Sequence, residues 1–292
     1  MVFQINGAMR DNGISQVGCG MTVRGAAMAE SRYVFDNAAT AETSLRFSGL
    51  EATFDPSTIR VLTGAGVTGG WACWEVGAGG GSIARWLAER VGPAGSVLAT
   101  DIDPRFIPPS RLDQLEVARH DVTADVIPSA RYDLIHARLV LSHLPQRREV
   151  LARLTQSLRP EGWLVIEDFC HAFERGTEPP SPADAKFRKV VLALARFMER
   201  ATGNEWDFAT SLPQLLAGLG LGDVGGEGRL VFGEGGSPVA GVIEAALRQV
   251  GDQMIAAGLV DRPALDEAIA FLATPTSMVS LPLMVSAWGR RK

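Results

Sequence analysis

Apolar residues along this chain recur in two rhythms, and their alternation predicts an α/β protein. Trp71–Val76 is a short strand-like run, and Ile83, Trp86 and Leu87 then repeat at i, i+3 and i+4, as on one helix face. Further short apolar runs follow at Ser96–Thr100, Leu115–Ala118, Tyr132–Ala137 and Trp163–Asp168, with a helical stretch ending at Leu158–Gly162. Strands alternating with helices imply a mostly parallel sheet. Upstream, Leu45, Phe47, Leu50 and Phe54 mark a helix over Thr40–Phe54, and Asp55-Pro56 reads as the cap and first residue of a second one. Downstream, Ser181-Pro-Ala-Asp184 opens a helix that Gly203 ends, with Phe187, Val190, Val191, Leu194, Phe197 and Met198 as its apolar stripe. Helices are expected at Ser211–Leu221, Val239–Leu259 and Asp261–Ala273, and strands at Gly228–Phe232 and Ser277–Trp288. Pro282 has no N–H to give a ladder, so the last strand should bulge or split there. Residues 1 to about 30 show no period and read as a poorly ordered tail.

The segment Trp71-Ala-Cys-Trp-Glu-Val-Gly-Ala-Gly-Gly-Gly-Ser82 carries the chemistry. Gly77, Gly79 and Gly81 let the backbone turn sharply between a strand and a helix N-terminus, where unpaired N–H groups hold anionic or polar ligand tails. A dinucleotide loop would place a third glycine at position 82, which is Ser. Glu75, two residues before Gly77, would repel a pyrophosphate and suit a ligand with an ammonium group.

The pattern Glu75-x-Gly77-x-Gly79-x-Gly81 resembles the first motif of class I S-adenosylmethionine-dependent methyltransferases. Asp101 ends the second strand about twenty residues beyond the loop, where a carboxylate accepts from both ribose hydroxyls. Asp121 follows the third strand, where the family's acidic residue meets the adenine amino group. The turn Leu158-Arg-Pro-Glu-Gly162 is similar to a further family signature, with Trp163 where a second glycine is common. The resemblance implies a Rossmann-like, seven-stranded, mostly parallel sheet flanked by helices. Strand seven would run antiparallel between strands five and six. It also implies a division into an N-terminal helical cap (31–70), a cofactor-binding core (71–170), a helical lid inserted after strand five (171–210) and a C-terminal half completing the sheet (211–292).

On that resemblance the cofactor is S-adenosylmethionine, with S-adenosylhomocysteine as product. Glu75, Gly77, Ala78, Gly79, Asp101, Ile102, Asp121, Val122 and Arg138 are the cofactor-binding candidates, Ile102 packing on adenine. Arg138 has an alternative role, holding a strand-end carbonyl. Tyr33, Asp36 and Arg46 are placed to reach the active site from the cap, or are solvated helix residues. Of the four histidines, His171, which opens the lid, is the first candidate for a general base, and His143, just past strand four, the second. His136 reads as a packed strand residue and His120 as a solvated loop residue. Glu167 and Asp168 are expected on the same rim, and Phe187, Tyr33 and His171 as substrate contacts.

Motifs that are missing narrow the acceptor. Ala137-Arg-Leu-Val stands where Asp/Asn-Pro-Pro-Tyr enzymes methylate amino groups, and there is no Pro-Cys nucleophile. The acidic cluster of magnesium-dependent catechol enzymes is not evident, so no metal is expected. A small-molecule acceptor remains, with oxygen favoured over nitrogen or carbon, and the lid suits a bulky, natural-product-like metabolite. Rival readings are a relative that uses the bound cation for cyclisation or decarboxylation, a non-catalytic cofactor-binding subunit, and a nicotinamide oxidoreductase.

Bulk properties agree. With 292 residues, 46% of them hydrophobic, a large core can form. A net charge of −5 and no long basic run disfavour nucleic acid. Three dispersed cysteines (Cys19, Cys73, Cys170) form no disulfide or zinc pattern, and no stretch suits a membrane span. A cytoplasmic enzyme is expected, and its apolar helix faces would serve a homodimer.

Overall fold

The computed structural model describes residues 40–171, 179–203 and 208–292; the expected N-terminal tail, Cys19, Tyr33 and Asp36 lie outside the described residues. Strands β1 (Ala72–Val76), β2 (Ser96–Asp101), β3 (Leu115–Arg119), β4 (Tyr132–Arg138), β5 (Leu158–Cys170), β6 (Gly222–Arg229) and β9 (Leu283–Arg290) form one sheet in the order β3-β2-β1-β4-β5-β9-β6. All pair parallel except β9, which runs antiparallel to both β5 and β6. This is the seven-stranded order expected.

Alternation along the central strands feeds two cores. Trp74, Val76, Ile135, Ala137, Leu164 and Ile166 face α3 (Arg147–Ser157) and α5 (Leu212–Gly218). Cys73, Leu134 and Val165 face α2 (Ser82–Val91) and the end of α1 (Thr40–Gly64). A third core lies among α1, α4 (Pro182–Thr202), α6 (Pro238–Ala256) and α7 (Arg262–Leu272). Helix α4 begins as its sequence predicts, with the Ser181 hydroxyl accepting from the Asp184 N–H and Gly203 left-handed at its end.

Three expectations change. The helix does not restart at Asp55-Pro56: α1 runs continuously through Pro56, because the Asp55 carboxylate pairs with Arg138 (2.8 Å) instead of capping. β5 starts at Leu158 rather than Trp163. The Arg-Pro-Glu-Gly turn is absorbed as an irregularity opposite Tyr132–Leu134, with Glu161 at φ 68°. Strand six is Gly222–Arg229, not Gly228–Phe232. It is rich in glycine, and a Cβ at Gly225 would stand 2.7 Å from the Trp288 indole, so the bare backbone is what lets this edge strand dock. The last strand splits at Pro282, as expected: β8 (Met278–Ser280) leaves to pair with β7 (Phe232–Glu234), and β9 resumes at Leu283.

Candidate active site

The glycine loop leaves β1 with Gly77, Gly79 and Gly81 all at positive φ (67°, 55° and 80°), a path that side chains rarely follow. Ala78 donates its N–H to the Thr100 carbonyl (2.9 Å), pinning the loop to β2. The Asp101 carboxylate accepts from the Gly79 N–H and the Asp103 N–H, both at 2.9 Å. Burial raises its pKa, and these two backbone donors only partly offset that. Each oxygen can still accept another hydrogen bond. Beside it Ile102 is 44% exposed. Asp121 closes its own turn, its Oδ1 accepting from the Thr123 N–H (2.8 Å) and hydroxyl (2.6 Å), and Val122 is packed in the central core.

Helix α1 lies over this loop and brings to it Phe47 and Glu51, two residues not among the site candidates. The Phe47 ring is in contact range of Gly79 and meets Phe106 edge-on at 5.5 Å. Glu51 presses against Gly80, its Oε1 buried without a hydrogen-bond partner, and burial followed by the nearby Asp55 charge raises its pKa. A carboxylate so placed suits a cationic neighbour, so loop and overlying helix together fit a ligand carrying an ammonium or sulfonium charge.

Below the loop, a polar row crosses the sheet. His136 is fully buried, with Nδ1 2.7 Å from Glu75 Oε2 and Nε2 3.2 Å from Glu167 Oε2. Glu167 also accepts from the hydroxyls of Thr58 and Ser286, both at 2.5 Å. Arg138 donates to Thr58 (2.9 Å) and Asp55 (2.8 Å), and Arg60 pairs with Glu227 at the far edge. Desolvation opposes a charged imidazole, but the two carboxylates outweigh it and hold His136 up at about 9. Burial likewise works against ionised Glu167, and His136 outweighs it, bringing Glu167 down to about 2. His136 is thus a packed strand residue, and also the hub of this row. Glu75 and His136 are register partners on β1 and β4, which is what brings the pair together.

A cavity opens past the carboxyl ends of β4 and β5, where ligands bind in open α/β sheets. It encloses about 900 Å³ of empty space, mouth included. Its walls come from Leu139 and His143 after β4, Phe169 and His171 at the end of β5, α4, α6, Arg46 and Leu50 of α1, and Ser280–Pro282. Leu139 holds φ 57°, rare for a residue with a Cβ, while its N–H bonds the Glu167 carbonyl at 2.8 Å. His143 and His171, the two base candidates, therefore share one wall. Desolvation, then the Arg46, His171 and Arg147 charges, push His143 down to about 3.

Other candidates lie elsewhere. Phe187 stacks on Phe271 (centroids 4.8 Å) against α7, outside the described lining, because its place on the stripe faces that helix. Glu167 and Asp168 do not line the rim: Glu167 belongs to the buried row, and Asp168 accepts from the Ser142 N–H at 2.9 Å, burial raising its pKa to about 6. Arg138 holds Asp55 and Thr58 on α1 rather than a strand-end carbonyl. His120 is not simply solvated, since it meets Trp74 edge-on at 5.5 Å. Among the described residues no helix is long and apolar enough to cross a membrane, and no His, Cys, Asp or Glu cluster could hold a metal.

Comparison with known proteins agrees with this geometry. Residues 74–164 match the family described as a methyltransferase domain. The chain is similar to methyltransferase str2 of Strobilurus tenacellus, 35% identical over 156 residues, covering 51% of this chain and 53% of the relative. The match thus spans about half the length of that curated relative. Among solved structures, a phosphoethanolamine N-methyltransferase of Haemonchus contortus superposes with TM-score 0.55 at 12% identity, over 91% of this chain and 61% of that one. A Bacillus halodurans chain assigned as a methyltransferase gives 0.51 at 16% identity, over 80% and 97%. These identities speak to the fold, and the loop, strand order and family match converge on residues 74–164 as a methyltransferase domain.

Proposed function

We propose that the protein binds S-adenosylmethionine along the glycine loop and methylates an oxygen of a small, bulky, largely apolar acceptor held beneath α4. The observation that carries this reading is the adjacency of two sites: a glycine loop roofed by α1, and an apolar cavity at the ends of β4 and β5 that α1 also walls. Glu75 and the backbone of Gly77, Ala78 and Gly79 would hold the amino-acid end, Asp101 the ribose, and Ile102, Asp121 and Val122 the adenine. When bound, the cofactor would supply an electrophilic methyl on a sulfonium, with the neutral thioether as leaving group. The chain's own part is positioning and exclusion of water, which can supply roughly 7–11 kcal/mol of barrier reduction in well-oriented cases.

In the same proposal α1 acts as cap and α4 as lid. An open cavity argues against a non-catalytic subunit. The size and apolarity of the pocket favour a secondary metabolite, and the net charge of −5 disfavours a nucleic-acid partner. The buried thiols Cys73 and Cys170 suit a reduced, cytoplasmic setting. Calorimetric titration with S-adenosylmethionine tests the reading: the wild type should bind, and Asp101→Ala should lose at least about tenfold in affinity. An Ala246→Trp variant, which fills the cavity, should keep that binding and lose release of S-adenosylhomocysteine in acceptor screens. A folded protein that does not bind the cofactor would refute it.

A further inference from the structure

Among the described residues, the charge lining the acceptor cavity is one-sided. Its described wall contains three ionisable groups, Arg46, His143 and His171, and no Asp or Glu. Glu42 and Glu51 flank Arg46 on α1, but neither belongs to that wall. Arg46 is only 7% exposed, its guanidinium lying 4.9 Å from the Phe47 ring centre. Behind the wall Arg147 is anchored by carbonyls, donating to Leu141 (3.3 Å), Thr202 (2.9 Å) and Gly203 (2.9 Å). The remaining lining is aliphatic or aromatic apart from the hydroxyls of Ser142, Thr202 and Ser280. Such a cavity attracts an anion and repels an ammonium, and its apolar surroundings strengthen both effects relative to water.

We propose that this cavity selects acceptors bearing an acidic oxygen, such as a phenol, enol or carboxylic acid, on an apolar body, and that Arg46 holds that oxygen as an anion. The inference rests on the cavity being the acceptor site of the proposed function. An opposite charge within about 4–6 Å lowers an acid's pKa by about 1–3 units. A phenol, near 10 in water by analogy with Tyr, would then ionise substantially close to neutrality. The low basicity of His143 fits this division of labour: with the oxygen already ionised, no strong base is needed in the wall.

Three probes of one shape test the proposal without any cofactor: 2-naphthoate, 2-naphthylmethanol and 2-naphthylmethylamine, titrated calorimetrically into the full chain. Naphthoate should bind at least about tenfold more tightly than either of the others. Arg46→Met should bring naphthoate to the level of the alcohol and leave the alcohol unchanged. Equal binding of the three, tighter binding of the amine, no binding of naphthoate, or a preference that survives in Arg46→Met overturns the proposal. If Arg46→Met does not fold, the wild-type order of the three probes decides alone. Because no cofactor is present, failure of S-adenosylmethionine binding alongside an intact naphthoate preference would count against the proposed reaction and not against this selectivity.

Discussion

His136 and His143 stand seven residues apart at the end of one strand, yet the protein drives them in opposite directions. His136, sealed in the sheet between Glu75 and Glu167, is held protonated at about 9; His143, on the cavity wall among Arg46, His171 and Arg147, falls to about 3. Desolvation disfavours the charged form of both. The neighbours decide the sign. Carboxylates gather under the glycine loop and basic groups around the cavity, so one sheet edge presents two electrostatic environments.

Replacing Glu167 with Gln should break this contrast most severely. It leaves His136 with one carboxylate and disturbs the Thr58 and Ser286 contacts, and loss of a buried ionic partner costs about 3–5 kcal/mol. Urea unfolding reads this directly; a loss below about 1 kcal/mol would mean that the row carries no charge. By comparison, Phe187→Ala should cost about 2 kcal/mol through its stack on Phe271 and leave acceptor affinity within about twofold. A larger effect on acceptor binding would return Phe187 to the substrate site.

The pH dependence sharpens the same comparison. His136 has a folded pKa of about 9 against 6.5 unfolded, so its contribution to stability is complete below about pH 6.5 and is lost as pH rises toward 9. His143 runs the other way: its contribution is complete above about pH 6.5 and is lost as pH falls toward 3. The stability difference between wild type and His136→Gln should therefore shrink between pH 6.5 and 9, while that for His143→Leu should shrink on acidification. A difference flat across its window, for either variant, contradicts the assignment. The smallest effect belongs to the exposed pair Lys186–Glu267 (2.9 Å), where Lys186→Ala should change stability by less than about 0.5 kcal/mol.

The sheet was legible because its strands alternate by period, and each glycine or proline boundary has a local mechanism. Asp101 and the glycine loop were legible for the same reason, being local in sequence. What escaped depends on distance along the chain. Phe47 and Glu51 reach the loop only because α1 folds over it, and Glu75 meets His136 only through strand register, 61 residues apart. Gly222–Arg229 escaped for a different cause: an edge strand that must fit under an indole has the composition of a turn. Phe187 misled because an apolar helical stripe gives the same pattern whether it faces a ligand or another helix.

Pro282 has a consequence beyond the broken strand. By ending β8 it frees Ser280–Pro282 from the main sheet and turns them into cavity wall, with the Leu281 N–H tied to Val231 at 3.3 Å. These three residues owe nothing to the seven-stranded ladder that carries the cofactor loop. Substitutions there can therefore reshape the cavity without unpairing the sheet. If the cavity holds the acceptor as proposed, its preference can drift, or be engineered, through a short replaceable segment while the glycine-loop half stays fixed.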